Sequence, residues 1–112
     1  MVSKALIAAS TKPIILSILI SGENYGYQII QRVKKISGGT LEWSDGMLYP
    51  VLHRLEKDGF ISSQWKRSEE GRFRKYYSLT DLGRKELEAE KRQWLSVHSA
   101  LTKLWKPVAV GD

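Results

Sequence analysis

Gly46, Pro50, His53 and Lys57 recur at steps of four, three and four between Ser44 and Gly59, so on a helix they share one face, flanked by Tyr49 and Arg54. A small residue for close approach, a phenol, an imidazole and two cations together meet phosphate oxygens and base-like edges. Ser44 can cap the start of that helix, where Gly46 would let an anion approach the first-turn N–H groups. Further along, Lys66, Arg67, Arg72, Arg74 and Lys75 outnumber Glu69 and Glu70, a second cationic cluster suited to a polyanion. The plain alternative for both clusters is a solvated face. Strand alternation cannot put all five cations on one side, and charge also protects hairpin edges. Arg54 could instead pair with Glu56 or Asp58 and hold the neighbouring hairpin.

Other chemistry is missing from the sequence. There is no cysteine, and His53 and His98 are too far apart to be i, i+4 ligands on one helix turn, which removes thiolate zinc sites and gives a metal no pair of imidazoles. No glycine-rich loop follows a strand and no nucleophile has a neighbouring base, so the chain reads as a non-enzyme without cofactor. With 112 residues it has room for one core, and a net charge of +6 favours anionic partners. The apolar stretch Ile14–Ile20 falls well short of the roughly 20 residues a membrane span requires. Lacking a signal-like core as well, the chain reads as cytoplasmic.

The elements that must position these side chains follow from periodicity and stop signals. A first helix is expected over Thr11–Ser21, with Thr11 as cap and Pro13 in the first turn, after a short helical stretch Ser3–Ala9. A second runs over Tyr25–Ser37, with Ile29, Ile30, Val33 and Ile36 at helical spacing, and stops at Gly38-Gly39. The third, Ser44–Gly59, sets Leu48, Val51, Leu52 and Leu55 against the polar face already described, with Pro50 as an anomaly inside it. The period then changes to two over Phe60–Arg67 and Phe73–Leu79, which predicts a β-hairpin with a polar tip. Tyr76 and Tyr77 must point to opposite faces of it. Trp43 and Trp65 read as core or hinge aromatics.

Thr80 or Asp81 caps a long last helix to about Lys106, closed by Pro107 and followed by a flexible tail, 107–112. Leu87, Lys91, Trp94, His98, Leu101 and Trp105 step by four, three, four, three and four along it, the spacing of a coiled-coil seam, and Val97 widens the same face. A face of that length exceeds what one small domain can cover, which predicts pairing with a second copy of the chain. Two Trp94 and two Trp105 side chains about a two-fold axis could sandwich a planar aromatic ligand. Simple dimer packing is the alternative, and His98 reads as a polar seam residue.

Three helices and a hairpin in this order give a mainly α, α+β fold: a winged helix-turn-helix over residues 1–80 and a C-terminal dimerisation helix over 81–106. The residues that carry a closer resemblance are Tyr25-Gly26-Tyr27-Gln28-Ile29, the run from Ser44 through Leu48-Tyr49-Pro50, Arg54-Leu55-Glu56 and Gly59 to Ile61, then Arg72 with Tyr76-Tyr77, and Thr80-Asp81-Leu82-Gly83. This set resembles the PadR family of bacterial transcriptional regulators across about residues 14–105. The family pattern also has proline where Pro50 stands.

The resemblance implies a dimeric DNA-binding repressor of the compact branch, with one C-terminal helix in place of a larger effector domain. Its expected partners are double-stranded DNA with a pseudo-palindromic operator, a second copy, and a small aromatic effector at the dimer seam, but no membrane. Tyr25, Gln28, Ser44, Gly46, Tyr49, Pro50, His53, Arg54, Lys57, Lys66, Arg72, Arg74 and Lys75 are the expected DNA-facing set. Leu87, Trp94, Val97, His98, Leu101 and Trp105 are the expected dimer or ligand set. A winged-helix protein-interaction module and a non-specific DNA binder remain the alternatives.

Overall fold

The computed structural model describes residues 1–106. In chain order it contains α1 (Lys4–Leu19), β1 (Asn24–Tyr25), α2 (Gly26–Ile36), α3 (Asp45–Lys57), β2 (Ile61–Arg67), β3 (Phe73–Leu79) and α4 (Asp81–Trp105). The expected α+β class and element order are present. The tail expected over 107–112 lies outside the described residues.

Two elements and one side chain differ from expectation. The short stretch and the first helix are one helix, α1, with Pro13 in its interior rather than in its first turn. Its cap is Ser3, whose Oγ accepts from the Leu6 N–H at 3.2 Å, while Thr11 turns its hydroxyl back onto the Ile7 carbonyl at 2.6 Å. A capped helix whose second half packs in the core outweighs the one hydrogen bond that proline removes. Tyr25, expected to open the second helix, instead forms a third strand with Asn24, giving an antiparallel sheet of order β1-β3-β2. Two residues are too short to show alternation in a sequence. Trp65, expected as a core or hinge aromatic, is 65% exposed on β2, whereas Trp43 is buried.

The core is the meeting of α1, α2 and α3 with the inner end of the sheet. Ile15, Leu16 and Leu19 of α1, Ile29 and Val33 of α2, and Leu48 and Leu52 of α3 pack with Ile61 and Leu87. In α3 the buried leucines occupy one side, as the stripe in the sequence requires. Gly59 ends it at φ +84°, with Phe60 N–H bonding Leu55 O at 3.0 Å and Gly59 N–H bonding Glu56 O at 3.0 Å, so the chain reverses directly into β2.

Thr80 ties this reversal to α4. Its N–H donates to Phe60 O at 3.1 Å, its hydroxyl donates to Gly59 O at 2.6 Å, and the same oxygen accepts from Gly83 N–H at 3.0 Å as the α4 cap. A Cβ on Gly83 would run into the backbone carbonyl oxygen of Phe60 as well as Leu79 Cδ1, which leaves only glycine there. The first turns of α4 are clamped to α1 by Lys12, which pairs with Glu86 and, at 3.6 Å, with Glu90. Beyond Lys91 only Trp94 and Leu101 are even half-buried, so the outer half of α4 stands clear of a molecule 64 Å long and 29 Å across.

Candidate nucleic-acid interface

On α3, Gly46, Pro50, His53, Arg54 and Lys57 are all exposed, opposite the buried Leu48, Leu52 and Leu55. Ser44 Oγ caps the helix by accepting from Met47 N–H at 3.2 Å, and Asp45 occupies the first turn. Pro50 has no N–H to return to Gly46 O, so one hydrogen bond of the helix is missing on this side. Among the described residues His53, Arg54 and Lys57 make no ion pair and no side-chain hydrogen bond. The alternative pairing of Arg54 with Glu56 or Asp58 therefore does not form.

Tyr49 has a double position. It is partly exposed beside the polar face, yet its ring lies against Gly26 at the start of α2, where an added Cβ would stand 2.8 Å from Tyr49 Cζ. Tyr49 also neighbours Tyr77. Burial first, then Tyr49 and Glu56, raises the Tyr77 phenol above the ordinary tyrosine range and keeps it neutral.

The hairpin is fastened on both faces. On the α3 side Glu56 accepts from Ser63 Oγ at 2.5 Å and lies 3.9 Å from Lys75 Nζ. On the other side Lys66 pairs with Glu23 and lies over the Tyr76 ring at 4.9 Å. Arg74 stacks on Tyr25 at 4.3 Å, and Tyr25 meets Tyr76 edge-on with centroids 5.4 Å apart. Thus three of the cations expected to face DNA, Lys66, Arg74 and Lys75, hold the hairpin in place as well. Arg72 and Arg67 are exposed without an ion pair among the described residues, Arg67 lying 5.1 Å over Phe73. Tyr25 and Gln28 are likewise occupied locally: Gln28 Oε1 accepts from the Tyr25 N–H at 3.2 Å and caps α2.

On α4 the expected seam is only partly open. Leu87 is 1% exposed and belongs to the core of its own chain, since the first turns of α4 pack on α1. Trp94 is half-buried, lining a groove of about 640 Å³ with Pro13, Ile14 and Ile18 of α1, Ile36 of α2 and Leu95. Val97, His98 and Trp105 are exposed, and Leu101 is half-buried. Sequence reasoning missed Glu23 and Glu56 as the acids that anchor the hairpin, because their partners are distant in sequence and carry no local pattern.

A helix presented on a three-helix core beside a twisted hairpin defines a winged helix-turn-helix protein of the kind that reads duplex DNA. The sequence profile described as the transcriptional regulator PadR-like family matches residues 15–89. A PadR-like transcriptional regulator from Bacillus cereus has 30% identity and a TM-score of 0.83, over 94% of this chain and 100% of that one. A transcriptional regulator from Clostridium thermocellum has 30% identity and a TM-score of 0.82, over 92% and 97%. The negative transcriptional regulator PadR of Bacillus subtilis is 32% identical over 87 residues, 78% of this chain but 46% of that protein. This chain belongs to the PadR-like family of transcriptional regulators, which are DNA-binding proteins and not enzymes. Among the described residues no helix is long and apolar enough to cross a membrane.

Proposed function

We propose that the protein is a cytoplasmic, homodimeric repressor that binds a pseudo-palindromic operator, with residues 1–80 as the DNA-binding unit and 81–106 as the dimerisation helix. The observation that carries this reading is α3, whose exposed side bears Gly46, Pro50, His53, Arg54 and Lys57 unpaired above a fully buried leucine stripe. In it, α3 enters the major groove: His53, Arg54 and Lys57 meet base edges or phosphates, while Ser44, Gly46 and Tyr49 lie against the backbone. Arg72 meets phosphate from the hairpin. Lys66, Arg74 and Lys75, with Tyr25 and Gln28 behind them, add positive potential and rigidity.

The dimer reading rests on the outer half of α4, where Val97, Leu104 and Trp105 are exposed, with no partner among the described residues. A second copy laid along this face would also cover the groove beside Trp94. A planar aromatic effector held between the paired tryptophans would alter the separation of the two α3 helices, which must match about 34–36 Å of duplex. A repressing role accords with the Bacillus subtilis relative, which is a negative regulator by name.

Selection of bound sites from random duplexes at physiological salt tests this. Enrichment of an inverted repeat with half-sites one helical turn apart is the expected result. Recovery of duplexes with no common motif would reduce the reading to non-specific electrostatic binding, and recovery of none would remove it.

A further inference from the structure

The register of the hairpin pairs Trp65 with Lys75 and Arg67 with Phe73, so Trp65, Arg67, Phe73 and Lys75 share one face. It is the α3-facing side, because Ser63 and Lys75 on it are held by Glu56 of α3. Toward the sheet's inner end this face is core, with Ile61 and Tyr77 buried. Beyond Lys75 it leaves the core, yet it carries two large aromatic rings, Trp65 at 65% and Phe73 at 64% exposure. Among the described residues nothing buries them, and two exposed aromatics set diagonally on the outer hairpin are costly for solubility. The same arrangement places them on the side of the hairpin that faces α3.

Charge selects what would cover them. Arg67 lies over the Phe73 ring and Arg72 adjoins it, both exposed, while Glu56, the acid packed against this face, is engaged with Ser63 and Lys75. The outermost residues, Glu69 and Glu70, are acidic and exposed; hydrogen bonding to Ser68, then to its own backbone, with Arg74 and Arg72 nearby, holds the Glu70 carboxyl below the ordinary range. An ionised tip repels phosphate, so a polyanion must approach the hairpin by its flank, where the rings and the free guanidinium groups are. We propose that Trp65 and Phe73 form an apolar wedge that enters the minor groove next to the major groove occupied by α3, pressing on a base step while Arg67 and Arg72 hold the flanking phosphates. Such a wedge favours steps that unstack easily, TA and CA/TG, and so adds specificity at positions that α3 never touches. This inference rests on the DNA-binding reading.

The test repeats the selection from random 40-base-pair duplexes with the full chain, with Trp65→Ala/Phe73→Ala and with Phe73→Leu, after thermal melts establish that all three are folded. Native protein should enrich a TA or CA/TG step at a fixed offset outside each α3 half-site. The double variant should keep the half-site and lose the flanking step. Its affinity for a native-selected duplex should fall about tenfold or more, the scale on which base–aromatic stacking contributes, with an unchanged salt slope because every phosphate partner is retained. Phe73→Leu, still apolar, should retain the step. Identical sites and affinity for the double variant would overturn the wedge and leave the patch to a protein partner. A drop in affinity with a shallower salt slope would overturn it in favour of simple backbone contact. If native protein selects no motif at all, the operator-binding reading fails first and takes the wedge with it.

Discussion

Tyr49 of α3 lies against the backbone of Gly26 at the start of α2, and the two helices meet there at a distance only a residue without a side chain permits. The contact sets the depth at which α3 is carried on the core and therefore how far its exposed face projects. It also gives a physical reason for the glycine in the Gly26-Tyr27 pair and for the tyrosine before Pro50, two residues that share no local pattern.

Gly26→Ala is accordingly expected to destabilise the protein by about 1–3 kcal/mol, the usual cost of overpacking, although alanine is the better helix former by about 1 kcal/mol. Denaturant unfolding decides the sign. A stabilised variant would mean that Tyr49 can swing aside at no cost.

His53→Ala/Lys57→Ala should leave the unfolding free energy within about 0.5 kcal/mol of native, since both side chains are exposed and unpaired. Affinity for a selected operator should drop by about 1–3 kcal/mol for each side chain that reads a base edge. Titration of a labelled duplex at two salt concentrations separates base recognition from phosphate neutralisation, since only removal of the latter lowers the salt slope.

Leu87 and Trp105 lie on one helix and should behave oppositely. Leu87→Ala opens a cavity in the core of a single chain and should cost about 2–5 kcal/mol at any protein concentration. Trp105→Ala, at a site 71% exposed in the single chain, should instead weaken self-association, lowering the melting temperature and making it depend less on protein concentration. Sedimentation alongside thermal melts reads both.

Lys12 predicts an alkaline sensitivity of the α1–α4 clamp. Burial lowers its pKa, but the hydrogen bond and charge of Glu86, with the charge of Glu90, outweigh this and hold it above the ordinary lysine value of 10.5. Since the folded state holds the proton more tightly, the clamp stabilises at pH values below 10.5 and is lost as pH rises through the raised value. The difference in melting temperature between native protein and Lys12→Met should therefore shrink between about pH 9 and pH 12. A constant difference across that range would mean that Lys12 acts through its aliphatic stem against Phe60, over whose ring its ammonium lies at 4.8 Å.

Local signals suffice wherever an element announces itself within a few residues. The leucine stripe of α3, its Ser44 cap, the stop at Gly59 and the change to a two-residue period all set their structure through neighbours in the chain. They fail where the deciding partner is remote. Pro13 looks like a helix start until Ser3 is seen to cap the same helix ten residues earlier. Leu87 satisfies the seam spacing, but α1 packs on it and removes it from any interface.

By itself, the sequence determined the class of protein, the order of its elements and which face of α3 is polar, because periodicity, capping and turn residues act over a few positions. Only the tertiary structure decided which charges are free. Lys66, Arg74 and Lys75 are committed to Glu23, Tyr25 and Glu56, contacts formed between segments 19 to 49 residues apart. It also decided that Trp65 and Phe73 stand outside the core, because strand register and the reach of α3 end the packing at Lys75. Long-range contacts of this kind leave no periodic trace in a chain, and here they separate the residues that support the interface from those left to make it.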